Sequence, residues 1–229
     1  MRARRSRGEG PAVIHSLLRP TARVLPRAPL TAGVALGLLV AALPRLLPDA
    51  ESQLLGLALL RATALAFALG LTFLLDDPAR PTTEAVPTGR QVRTWLRAAL
   101  ALPAAALGWC AALLLIPQAA RPPLADVTAE AAALTATALA LAAAAARRSS
   151  ETRPGRIAVQ VLPVLVVAGI LLPERWGLFV APGSPEWDAA HDRWAAVLLV
   201  ALTLWTASVR EPIRRRALRN GFGRGMLRP

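Results

Sequence analysis

Residues 54–75 are almost wholly Leu, Ala, Gly, Phe and Thr, and an uninterrupted apolar run of that length leaves few folds open. Coiled into a helix rising 1.5 Å per residue, it crosses a hydrocarbon core of about 30 Å. It stops at Asp76, Asp77 and Pro78, and a second run, 98–116, stops at Pro117. Four further apolar runs lie at 30–47, 125–146, 157–172 and 194–209. In a bilayer the backbone must satisfy its own hydrogen bonds, so runs of this kind predict an all-α, polytopic membrane protein with a six-transmembrane-helix bundle at 30–209. Residues 1–29 and 210–229 remain as basic flanks.

The charge pattern sets the expected orientation. The formal charge is +13, all 27 basic residues are Arg, and there is no Lys. With both flanks inside, only Arg45, Arg121, Arg175 and Arg193 fall outside and Arg61 falls within a helix, leaving 22 of 27 on the inner face. This predicts cytoplasmic termini, with the Arg-rich inner segments lying against anionic lipid. The excess of Ala, Leu, Arg and Pro without Lys looks like a high-GC bacterial source, so the expected membrane is a bacterial plasma membrane. Placement of the charge in short clusters between apolar runs, with no Tyr to stack on bases, argues against a nucleic-acid partner.

The same counts exclude several chemistries. Without Lys there is neither a Walker A phosphate loop nor Schiff-base catalysis. One cysteine, Cys110, makes an internal disulfide or a cysteine cluster impossible. An intramembrane Ser protease needs its His on another helix, whereas Ser184 and His191 are neighbours in one outer stretch. Metal-dependent phosphotransfer needs an array of Asp residues, but Asp76 and Asp77 stand alone. Asp188, His191 and Asp192 have i, i+3, i+4 spacing and can offer three ligands from one helix face; the plain alternative is a solvated helix start. We expect no enzyme, no metal and no cofactor.

Two stretches carry more pattern than a connector needs. In 76–97, Thr82 or Thr83 can cap a short helix bearing Glu84 and Val86, which Pro87 ends. Thr88 with Gln91 then fits a capping box, so a helix is expected to begin near Gly89 and run through Trp95 into the membrane. The outer stretch 173–193 mixes Trp176, Trp187 and Trp194 with Glu174, Glu186, Asp188 and Asp192, and its apolar piece 178–181 is too short to cross. It can dip into the membrane and return. Before the first span, Val13, Ile14, Leu17 and Leu18 suit a short amphipathic helix at 11–19 on the inner surface.

A short surface helix, six spans, a structured inner tract between the second and third and a long outer segment before the sixth together resemble the membrane (permease) subunit of an ABC-2 type exporter. In that family the inner tract docks into the ATPase, and the outer segment is partly re-entrant. The stretch 76–90 followed by RTWLRAALALP also looks like small actinobacterial permease-like proteins. The resemblance implies a separate P-loop ATPase subunit and a second membrane subunit, identical or not. It also implies an ATPase-coupling role for Asp77, Thr83, Glu84, Val86, Arg90 and Arg93. A non-transporting membrane accessory or scaffold protein is the alternative reading.

Arg61 is the one basic residue well inside a span. An Arg at mid-helix costs about 2.5–3.5 kcal/mol to insert, so a partner is expected. Glu130 enters the fourth span from the same side to a comparable depth, with Asp126 one turn above. We expect an Arg61–Glu130 pair, with Asp126 as a further partner; the alternative is an Arg61 that snorkels alone. Arg45, near the end of the first span, is expected to snorkel to the outer headgroups.

Overall fold

The structure, a computed structural model, describes residues 25–46, 52–76, 90–148 and 153–210, apart from the side chains of Arg90 and Glu174. Among these residues it is all-helical. Six α-helices follow one another: α1 (Arg27–Ala42), α2 (Gln53–Thr72), α3 (Arg90–Leu115), α4 (Leu124–Arg148), α5 (Gly155–Ile170) and α6 (Trp187–Val209). Single 3₁₀ turns extend α1 over Leu43–Arg45 and α2 over Phe73–Leu75. The amphipathic helix expected at 11–19 lies outside the described residues, as do Asp77, Thr83, Glu84 and Val86.

Five of these helices, with the turns that extend them, are long and apolar enough to cross a membrane: Arg27–Arg45, Gln53–Leu75, Gln91–Leu115, Leu124–Arg148 and Trp187–Val209. The expected sixth, α5, has 16 residues and reaches about 24 Å, less than a hydrocarbon core of about 30 Å. The exterior is that of a membrane protein. Leu39, Leu107, Val164, Leu171 and Leu199 are each at least 66 % exposed except where lipid would cover them, an apolar surface that water would not tolerate over so many residues.

α4 is the interior helix. Its buried stripe of Val127, Glu130, Ala131, Leu134 and Ala138 follows helical spacing, and it packs against α2, α5 and, most extensively, α6. Its many Ala residues let neighbours approach closely, which is how helices associate where lipid offers no hydrophobic driving force. α1 packs on α2 by the same device. A Cβ on Gly33 would lie 2.8 Å from the Ala66 carbonyl oxygen and 2.9 Å from Gly70 Cα, and Thr63 Oγ1 donates to the Gly37 carbonyl at 3.0 Å. Gly33 and Gly37 are four residues apart, the small-xxx-small spacing of close membrane crossings.

The bundle has two polar ends. At the distal end α1, α3 and α5 finish while α2, α4 and α6 begin; the proximal end holds the other termini. Helix C-termini expose carbonyls that lack intrahelical donors, and arginines supply them. Arg45 donates to the Leu115 and Leu114 carbonyls at 2.8 and 2.9 Å, so it closes the end of α3 while remaining exposed at the distal end. Arg121 donates to Ile116, and Arg147 to Ala207 near the end of α6. The physical reason is desolvation: close to hydrocarbon a bare carbonyl is costly, and a guanidinium that donates to it removes that cost.

At the proximal end α2, α3 and α5 are locked together. The Gly155 amide donates to Asp76 Oδ1 at 2.7 Å, so a residue almost eighty positions away caps the start of α5. Arg97, 8 % exposed, donates to the Asp76 carbonyl at 3.4 Å. A side chain at Gly155 would meet Phe73 Cα at 2.9 Å, which shows how close the helices pass. Burial raises the Asp76 carboxyl above its ordinary pKa, against the opposing pull of the Gly155 hydrogen bond and of Arg153 and Arg97.

A candidate site beneath the distal strap

α2, α4 and α6 converge at the distal end on three ionisable side chains. Arg61 Nε donates to Glu130 Oε2 and Arg61 Nη2 to Glu130 Oε1, both at 2.7 Å, a bidentate fork between α2 and α4. The side chains are 14 % and 2 % exposed. At 1.5 Å per residue, Arg61 lies about 12 Å along α2 from its start and Glu130 about 9 Å along α4, which is why the fork closes. The structure therefore brings together two of the three residues expected here.

Asp126 is the exception and corrects the expectation. It accepts from Trp187 Nε1 at 2.8 Å and ties α4 to the first turn of α6. The reason is angular. Asp126 and Glu130 are one turn apart, but four residues advance a helix by about 40° beyond a full turn, so the two carboxylates face different neighbours.

His191, on the Glu130 side of the fork, is the third ionisable side chain here. Its Nδ1 faces the Trp187 carbonyl at 2.8 Å, and its Nε2 lies 3.2 Å from Glu130 Oε1. That second approach is off the line of a ring N–H, so Nε2 is buried without an aligned hydrogen bond. The helix expected from residue 194 starts seven residues earlier, at Trp187, with Asp188 in a first turn that favours acids. This earlier start puts Trp187, Ala190, His191 and Trp194 on one inward stripe and leaves Asp188 and Asp192 exposed. The three residues thus do not share a metal, and among the described residues no group of three or more His, Cys, Asp or Glu is placed to hold one.

The roof is the strap that follows α5. After the 3₁₀ turn Glu174–Trp176, residues 177–181 have no regular structure, and three of their carbonyls are taken by side chains of the bundle. Arg193 Nη1 donates to Gly177 at 2.7 Å, Trp194 Nε1 to Leu178 at 2.9 Å and Arg61 Nη1 to Val180 at 3.1 Å. Irregular backbone within a membrane bundle persists where protein groups satisfy it in this way. Phe179 turns down between the helices, its ring 5.3 Å from the Arg61 guanidinium carbon and edge-on to Trp194 at 5.3 Å. Gly183, with φ of 78°, provides the turn that leads the strap back out.

Below Phe179, α2 and α5 separate around a cavity of about 380 Å³. Its walls include Ala58, Ala62 and Leu65 of α2, Leu134 of α4 and Val166 and Ile170 of α5, and among the described residues its one charged wall residue is Arg61. Of the residues expected in the inner tract, Arg93 is half-buried on the first turn of α3. Trp109 of α3 reaches α4 separately, donating to Thr128 at 3.1 Å. The strap carbonyls were not expected to bind side chains; Asp76 was expected only to end its apolar run, and His191 only to offer a ligand beside Asp188 and Asp192. The signal for His191 was present in the sequence: it stands at i+4 from Trp187 and three before Trp194, a buried spacing. No protein family, characterised protein or solved structure matches this chain.

Proposed function

We propose that the chain is a membrane-embedded permease subunit of an ABC-type exporter, which moves a substrate across a bacterial plasma membrane with ATP hydrolysed by a separate chain. On this reading it crosses the membrane six times, α5 doing so with local thinning of the bilayer. The distal end faces outward, because it carries four arginines against 22 on the other side. A second membrane subunit, identical or not, completes the transporter. The Arg-rich proximal side rests on anionic lipid.

The observation that carries the reading is the pair of anchors on α2. Near its proximal end Asp76 is bound to α3 through Arg97 and to α5 through Gly155. Farther along, Arg61 is bound to α4 and to the strap. The anchors are about 22 Å apart along one helix, and the tract 76–97, which the resemblance assigns to ATPase docking, leaves directly from the proximal one. A push on that tract reaches the strap through α2, since packed helices shift as rigid elements between discrete arrangements.

The test is purification of the chain with its associated proteins after replacement of Glu84 and Val86. Loss of a co-purifying ATPase from an intact bundle is the expected result; unchanged association, or no ATPase with the parent chain, would remove the reading. The alternative, a non-transporting accessory protein, is favoured by the mutual neutralisation of Arg61 and Glu130, which suits a fixed staple.

A further inference from the structure

We infer that the cavity between α2 and α5 is a binding site for an acyl chain bearing an uncharged carbonyl, as in an ester or amide, with the carbonyl oxygen on Arg61 and the chain between the helices.

Three observations carry this. The first is shape: α2 and α5 touch at Gly155 and Phe73 and diverge toward the strap, where the space is about 380 Å³, within the range of small-molecule sites. The second is composition. The described walls are aliphatic except for Phe179 and Arg61, so an apolar chain is what they can hold. The third is the donor count at Arg61. A guanidinium has five N–H groups and no acceptor; two are spent on Glu130 and one on Val180. The remaining two can donate to a further acceptor, and a carbonyl oxygen is one.

Charge selects among acceptors. Glu130 already neutralises Arg61, so a carboxylate or phosphate entering this apolar space would be a second, uncompensated anion with its full desolvation cost. A neutral carbonyl accepts the same hydrogen bonds without that cost. The inference goes beyond the transporter reading, and its test needs no ATPase, so either can fail without the other.

The test uses the full chain in an alkyl maltoside, a detergent without carbonyl groups. It is photolabelled with diazirine probes of one chain length that end as a methyl ester, a carboxylate or a plain alkane, and the labelled residues are mapped by mass spectrometry. The ester should label Leu65, Val166 and Ile170 about tenfold more efficiently than the alkane, the factor expected of one good hydrogen bond to a charged donor. Ala62→Leu, an exposed wall position away from the fork, should block all labelling there. Arg61→Met with Glu130→Met, which buries no charge, should retain chain labelling and bring the ester-to-alkane ratio near one. A carboxylate that outcompetes the ester would overturn the uncharged head. Equal ester and alkane labelling in the parent chain, or label spread evenly over exposed positions of α6, would overturn the site.

Discussion

Truncating Glu130 to Ala puts the bidentate fork to its most direct test. It removes two charge-assisted hydrogen bonds of 2.7 Å and leaves the Arg61 guanidinium, whose side chain is 14 % exposed, without its counter-charge. Breaking one side of a buried pair costs about 3–5 kcal/mol in proteins generally, but Arg61 retains the Val180 carbonyl and the Phe179 face, which places the expected loss at about 3 kcal/mol. Arg61→Ala should cost less, about 2 kcal/mol, because His191 Nε2 remains 3.2 Å from the stranded carboxylate. The double alanine variant should lose no more than about 3 kcal/mol, a coupling of about 2 kcal/mol for two groups in direct contact. The assay is equilibrium unfolding of the full chain in mixed micelles, followed by the fluorescence of Trp187 and Trp194, which lie beside the fork. Replacing both residues by Met should come within about 1 kcal/mol of the parent, since well-packed apolar side chains often match a buried ion pair. Losses that add to within about 0.5 kcal/mol, or a double Met variant as unstable as Glu130→Ala, would refute the reasoning.

Asp76 predicts a pH dependence at the proximal end. Burial raises its carboxyl above the ordinary value, so between the ordinary and raised pKa the folded chain holds the proton more firmly than the unfolded chain does. Its contribution is then greatest below the ordinary carboxylate range and is lost as pH rises through the raised value; Asp76→Asn, which keeps an acceptor for Gly155, should flatten that part of a thermal-stability profile, whereas Asp76→Ala should cost about 1 kcal/mol as a lost helix cap. Gly155→Ala should destabilise by about 1–3 kcal/mol, because its Cβ would stand 2.9 Å from the Phe73 backbone. Gly183→Ala meets nothing within 4 Å and pays only for its positive φ, about 1 kcal/mol, in a loss confined to the strap; equal effects of the two changes in thermal unfolding would contradict the packing at Gly155. For topology, a Cys replacing Ser150 or Phe222 on a Cys110-free background should resist impermeant reagents in intact cells while one replacing Ser184 reacts, and the reverse pattern would invert the orientation.

The arginines explain why so basic a chain need not bind a polyanion. Arg45, Arg121, Arg147, Arg193 and Arg61 each donate to a main-chain carbonyl at a helix end or in the strap. Lys would offer a compact, strongly hydrated charge there. The planar fork of Arg is more weakly hydrated and can satisfy two acceptors at once, as Arg45 does at Leu114 and Leu115.

Helical class, the apolar runs and the clustering of Arg were legible from residue order alone, because in a bilayer the backbone bonds within its own helix and length against hydrocarbon thickness is a one-dimensional property. The depth of Arg61 and Glu130 was legible for the same reason: rise per residue converts position into distance. What the sequence by itself could not decide was azimuth and reach. Asp126 turns to Trp187 because about 40° of helical advance separates it from Glu130, and His191 reaches Glu130 because α6 begins seven residues before its apolar run does. The strap held by Gly177, Leu178 and Val180 and the capping of Gly155 by Asp76 both depend on which helices lie side by side. Such neighbours are chosen by close approach at residues such as Gly33, Gly155 and the alanines of α4, and that choice is made in three dimensions, where small side chains let one backbone fit against another.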